Sequence, residues 1–253
     1  MIQSLRIILH VILLREMVIL RFIMTAYTAT LRDFDDFCLE TEPVGKTGGS
    51  YKHFLGKYYP LDEGITWNYL QTYADGHKNY EINCVGGTEV IDNEAANKLW
   101  DFDSGNFEEG EPDYSYECMA WTKEGLKVYK RIWSDGSYTT YDPPMIQLPY
   151  LIRVGESFSN TTTITEYDAG GNPVEYSTLN TKITLESEED VEVLAGGFAR
   201  CLKFIGMESD EYSEDEFILW LAPGIGEVKS VCPEFDRELV SYTGHDKTYC
   251  PGG

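Results

Sequence analysis

Two acidic stretches carry the densest chemistry in this 253-residue chain. Glu208, Asp210, Glu211, Glu214, Asp215 and Glu216 crowd one short segment, and DFDSGNFEEGE, residues 101–111, opens with the Asp-x-Asp spacing of a calcium loop. An EF-hand loop begun at Asp101 needs Gly at its sixth position, for a sharp turn, and a bidentate Glu at its twelfth. Asn106 and Pro112 stand there instead, so the EF-hand loop fails; the acidic stretches read as solvated loops between strands, with a looser calcium site as the alternative. Paired carboxylates also serve the hydrolysis of glycosides, but spacing singles out no pair.

The other chemical patterns are incomplete. VGKTGGS, residues 44–50, ends in the Gly-Lys-Thr of a phosphate loop, yet the Gly that belongs five residues before Gly45 is Glu40. An acid there would face the phosphates. VGESFS places Ser157 after Gly155, but Ser159 occupies the position where a nucleophile elbow needs Gly. His10, His53, His77 and His245 form no HxH or HExxH, and read as surface or turn residues rather than metal ligands. Cys38, Cys84, Cys118, Cys201, Cys232 and Cys250 include no CxxC, which argues against zinc and fits disulfides in an oxidising compartment. No cofactor, metal site or catalytic residue is expected.

Charge limits the partners. Forty-three acids against twenty bases give −23. A field of that sign repels phosphate backbones, which excludes nucleic acid as a partner. Residues 1–30 are apolar but broken by Arg6, His10, Arg15, Glu16 and Arg21, so no run reaches the ~18 apolar residues of a spanning helix. They are expected to be a signal-like or membrane-proximal segment, joined through a linker, 31–50, to one β domain at 51–243; a C-terminal tail occupies 244–253.

The elements that would position any site come from turns and alternation. WLAPGIGEVK, residues 220–229, reads as a β-hairpin: Phe217 to Leu221 is a run of strand formers, Pro223-Gly224 turns, and Glu227 to Val231 resumes the alternation. WTKEGLKVYK, residues 121–130, repeats its outline, with Gly four and Lys nine residues after the Trp. Further hairpins are expected at Asp92-Asn93 and at Gly196-Gly197, dipeptides that tolerate positive φ. DPPMIQLP, with Pro143, Pro144 and Pro149, reads as a seam that cannot continue a central strand. The fold expected is mainly β: an antiparallel curled sheet or half-barrel built from two related β units, about 51–142 and 148–243, with an N-terminal helical or signal-like segment. Matching places in the two halves suggest the disulfides Cys84–Cys118 and Cys201–Cys232.

LAGGFARCLKF, residues 194–204, followed by WLAPGIGEVK resembles a loosely defined group of uncharacterised bacterial extracytoplasmic proteins. YYPLDEGITWNY looks like that group's first strand. The resemblance spans about residues 58–232, and it implies a β half-barrel outside the cytoplasm, similar to the curled sheets of LolA- and LolB-type lipoprotein carriers. It brings no catalytic residues. The function expected is a non-catalytic binding module holding an apolar small molecule, lipid or peptide on a concave face lined by Trp67, Trp133 and Trp220, with core packing as the alternative role of those rings. The alternatives are an interaction or structural protein of the cell envelope and, behind it, a hydrolase using paired carboxylates.

Overall fold

The computed structural model describes residues 51–103 and 114–244. The chain divides into two units, 1–49 and 50–253, and the fold belongs to the second. The expectations for residues 1–30, the linker up to residue 50, most of DFDSGNFEEGE, Cys38, Cys250 and the tail beyond Gly244 lie outside the described residues.

Fourteen strands are present among the described residues: β1 (His53–Phe54), β2 (Thr66–Tyr73), β3 (Lys78–Ile91), β4 (Glu94–Asp103), β5 (Tyr114–Trp121), β6 (Gly125–Trp133), β7 (Tyr138–Pro149), β8 (Leu151–Ile152), β9 (Ser157–Tyr167), β10 (Pro173–Val193), β11 (Gly196–Ser209), β12 (Glu214–Ala222), β13 (Gly226–Val231) and β14 (Phe235–Thr243). The short β1 and β8 pair with each other, and a 3-10 turn, Leu55–Lys57, follows β1. The other twelve form a closed antiparallel barrel in chain order, β2 to β7 and then β9 to β14.

The chain is thus mainly β as expected, but it is not a half-barrel. β9 pairs with β10 along its length and with β7 from Tyr138↔Tyr167 to Asp142↔Thr163, and β14 pairs with β2, so the ring has no open flank. Closure removes the full-length sheet edges that a half-barrel would leave to other chains, so that edge remains only where one strand outruns its neighbour. Register shifts in most ladders, such as Val85/Thr88 and Leu239/Ser241, supply the bending that closure needs.

The hairpins follow local chemistry. Asp92 and Asn93, at φ 53° and 69°, make the two-residue turn between Ile91 and Glu94. WLAPGIGEVK turns between Ala222 and Gly226, and WTKEGLKVYK between Trp121 and Leu126. One turn is displaced: Val193 pairs with Gly196, so Leu194-Ala195 turns and Gly196 starts the next strand. DPPMIQLP is a second correction, because it lies inside β7. Pro143 and Pro144 fit there because the β9 ladder stops at Asp142 and the β6 ladder is interrupted between Val128↔Met145 and Lys130↔Thr140. A residue without an N–H costs nothing where no ladder bond is due.

The two expected disulfides are not formed: Cys118, Cys201 and Cys232 are free thiols, while Cys84 is not one. Cys84 sits opposite Trp100 of β4, and Cys118 opposite Lys98 of the same strand on its other flank. An intervening strand puts the two cysteines at least about 9–10 Å apart, beyond disulfide reach. β12 separates Cys201 from Cys232 in the same way.

The main core fills one end of the barrel. Met119, Leu126, Leu148, Leu185, Leu202, Phe204 and Leu221 pack around Leu55 and Tyr58 from the segment after β1. That segment is tied down by Gly224 N–H to Lys57 O, 2.7 Å, and Trp121 Nε1–H to Tyr59 O, 2.9 Å. It plugs the apolar end.

Candidate functional site

Toward the other end the inward side chains change character. Tyr69 and Gln71 of β2, Glu81 and Asn83 of β3, Asp101 of β4, Ser115 and Glu117 of β5, and Arg131 of β6 follow strict two-residue spacing along their strands. Glu208, Glu227 and Arg237 join them from β11, β13 and β14, on the far side of the ring. A cavity of about 270 Å³ lies between these groups and the apolar side chains of Leu99, Met145, Phe204, Phe217 and Leu219. Glu208 is solvent-exposed, so the cavity meets water on that side.

Arg237 organises the polar wall. Its Nη1 reaches Glu81 Oε1 at 2.6 Å and its Nη2 reaches Glu227 Oε1 at 2.6 Å, with Nε also on Glu227 at 2.8 Å. Gln71 donates to the second oxygen of Glu81, the Tyr73 hydroxyl donates to Gln71 at 3.1 Å, and the Tyr69 hydroxyl donates to Glu227 O at 3.0 Å. The guanidinium also lies 4.7 Å from the centre of the Tyr69 ring. Glu81 and Glu227 are buried, 5% and 9% exposed. A buried carboxylate persists in this state only when a charge and hydrogen bonds replace its water.

The second cation is less fully used. Arg131 faces Glu117 at 3.8 Å, donates weakly to Ser115 Oγ at 3.4 Å and stacks 4.3 Å over Trp133. Its Nε is buried without a hydrogen-bond partner among the described residues. Asp101, which lines the cavity, forms no ion pair with a described residue. Burial and then the charge of Glu81 push its carboxyl up to about 7, against the pull of Arg237 and Arg131. Burial also raises Glu117, with Arg131 opposing. The lumen therefore holds five carboxylates to two guanidiniums.

The three tryptophans expected to form one face do not line the cavity together. Trp67 is buried, 2% exposed, in a second cluster with Ile65, Tyr69, Val85 and Leu239, and donates to Ile225 O. Trp220 packs against that cluster and donates to Glu189 at 2.8 Å, between the ammonium groups of Lys203 and Lys229. Trp133 is 40% exposed at the end of β6. None of the three lines the lumen cavity. His53, expected at the surface, is buried, and its Nδ1 lies 3.8 Å from Glu188. Among the described residues no group of His, Cys, Asp and Glu is arranged to hold a metal ion.

Sequence reasoning weighed Asp101 only as the start of a calcium loop and passed over Glu81, Glu117, Arg131, Glu227 and Arg237 as site residues. The available signal was Asn79-x-Glu81-x-Asn83, polar residues at alternate positions of a strand whose other face offers Tyr80 and Ile82.

No family model matches the chain, and no curated protein matches it. Among solved structures it is similar to a candidate exported protein with a YmcC-like fold from Bacteroides fragilis, with 15% identity, a TM-score of 0.47, and coverage of 78% of this chain and 100% of that one. It is also similar to a candidate lipoprotein from Parabacteroides distasonis, with 13% identity, a TM-score of 0.39 and the same coverage.

Proposed function

We propose that this chain is a non-catalytic binding module working outside the cytoplasm, which takes a small amphipathic ligand into the barrel lumen. The ligand's apolar body lies against Phe204, Phe217 and Leu219, and a cationic or hydroxyl-bearing head meets Asp101. One observation carries this: a cavity of about 270 Å³ whose two walls differ in character, apolar on one side and net acidic on the other. That volume sits at the lower edge of small-molecule sites, and mixed walls with few convergent polar groups are what such sites use. The sequence suggested an apolar cargo, and the carboxylate excess adds the head group. The resemblance of residues 194–204 and 220–229 to extracytoplasmic proteins supports a place outside the cytoplasm.

Native mass spectrometry of the protein purified from an export-competent host tests both parts. A discrete added mass, released by organic solvent and reduced in Asp101→Asn, is expected, with the protein in the extracytoplasmic fraction. A clean apoprotein mass for the wild type, or recovery only from cytosol, would sink the corresponding part.

The raised Asp101 carboxyl favours a second reading, acid–base hydrolysis, in which one carboxyl stays protonated beside ionised partners. Turnover of chromogenic glycosides that vanishes in Asp101→Asn would decide for the enzyme.

A further inference from the structure

We infer that the edge of β10 left unpaired among the described residues, beside the turn joining β11 to β12, docks an extended Lys- or Arg-rich segment of a partner protein by strand addition. β10 pairs with β9 from Pro173 onward, but its pairing with β11 begins only at Asn180, opposite Ser209. Val174 to Leu179 therefore present one side to which no described strand pairs. Six residues at ~3.4 Å each give an edge of about 20 Å. Soluble proteins blunt such edges with Lys, Pro or a covering loop. This one reads Val-Glu-Tyr-Ser-Thr-Leu, with strand-forming residues and no positive charge.

The surroundings give the partner's chemistry. A notch of about 340 Å³ runs along this edge between Thr163, Tyr176, Thr178 and Asn180 on the sheet and Asp210 and Glu211 on the turn. Val174, Tyr176 and Tyr212 are 63%, 64% and 78% exposed there, an apolar surface that strand addition would cover. Glu175 stands directly opposite Glu166 on β9. Like charges facing each other across strands are unfavourable, and a basic segment laid along this edge relieves the pair. In strand addition the main-chain ladder supplies affinity and alternate side chains supply selectivity. Lysines or arginines at alternate positions would meet the acidic rim, and apolar residues between them would meet Tyr176 and Val174.

The test uses the full chain and two eight-residue peptides, one alternating Lys with Val and one alternating Glu with Val, followed by fluorescence anisotropy. The Lys-Val peptide is expected to bind at low salt and to weaken as salt rises, and the Glu-Val peptide not to bind. Tyr176→Lys/Thr178→Lys, which puts lysines on the exposed edge, should lower affinity on the order of tenfold, and Glu175→Gln/Glu211→Gln by a smaller factor. Both substitute exposed side chains, and unchanged circular dichroism shows that each variant is folded. Absence of Lys-Val binding, equal binding of the Glu-Val peptide, or full retention of binding in both variants would overturn the inference. So would dimerisation of the chain abolished by the same variants without peptide binding, which would assign the edge to a second copy.

Discussion

At the scale of single residues, Arg237 and Asp101 carry opposite consequences of burying charge. Arg237 is the counter-ion of Glu81 and Glu227 together, so Arg237→Met leaves two buried carboxylates uncompensated. Breaking a buried pair by removing one partner costs about 3–5 kcal/mol. That loss should appear as a lower urea midpoint at unchanged slope, and Arg237→Lys should restore only part of it, because an ammonium cannot span both acids as the fork does. A loss well under ~1 kcal/mol would mean that water reaches these acids freely. Asp101 behaves in the reverse sense. Its folded value, about 7, lies above the ordinary 3.8, so the folded chain binds more protons than the unfolded one between those values. Stability from this residue therefore falls as pH rises through that window, and the cost is complete above about pH 7. Asp101→Asn should raise stability by about 1–3 kcal/mol at pH 8 and leave it nearly unchanged near pH 3. Equal effects at both pH values would remove the charge from the explanation.

At the scale of elements, the hairpins and the lumen were legible to different degrees. Gly226 of WLAPGIGEVK has φ 105°, and a Cβ there would lie 3.2 Å from Trp67 Nε1. Gly226→Ala should cost about 1–3 kcal/mol and alter the near-ultraviolet circular dichroism as Trp67 shifts from Ile225 O. An unchanged spectrum with unchanged melting would contradict this packing. Such turns could be read from sequence because their chemistry is local: Asp92-Asn93 and Pro223-Gly224 need no knowledge of the rest of the chain. β7 was missed because Pro143 and Pro144 look like breakers until the interrupted ladders beside them are known. The charged lumen was missed for a deeper reason. Apolar-inward logic turns Tyr80 to the core and Glu81 to water, whereas Tyr80 is 55% exposed and Glu81 5%. What inverts that face is Arg237, 156 positions away and adjacent only once the ring closes. Arg237 also spans the short ladder between β13 and β14, which has three paired positions. Opening of that ladder in Arg237→Met, seen as faster amide exchange over Gly226–Val231, is the expected companion of the stability loss.

At the scale of the whole molecule, a net charge of −23 sets two effects of salt against each other. Surface carboxylates repel one another in the folded ring more than in the expanded chain, and raising salt to about 0.5 M shortens the screening length below roughly 5 Å. The half-exposed pairs Lys127–Glu124 and Arg200–Glu188 are screened as well, but pairs near the surface contribute little. The melting temperature should therefore rise with salt, while binding of the Lys-Val peptide at the β10 edge weakens over the same range. The lumen responds less, because Arg237 and its two acids are largely shielded from solvent, so the stability difference between wild type and Arg237→Met should persist in high salt. A melting temperature that falls with salt would mean that surface ion pairs outweigh the net repulsion. The acidic surface would then be a stabilising network rather than a field held in reserve for a basic partner.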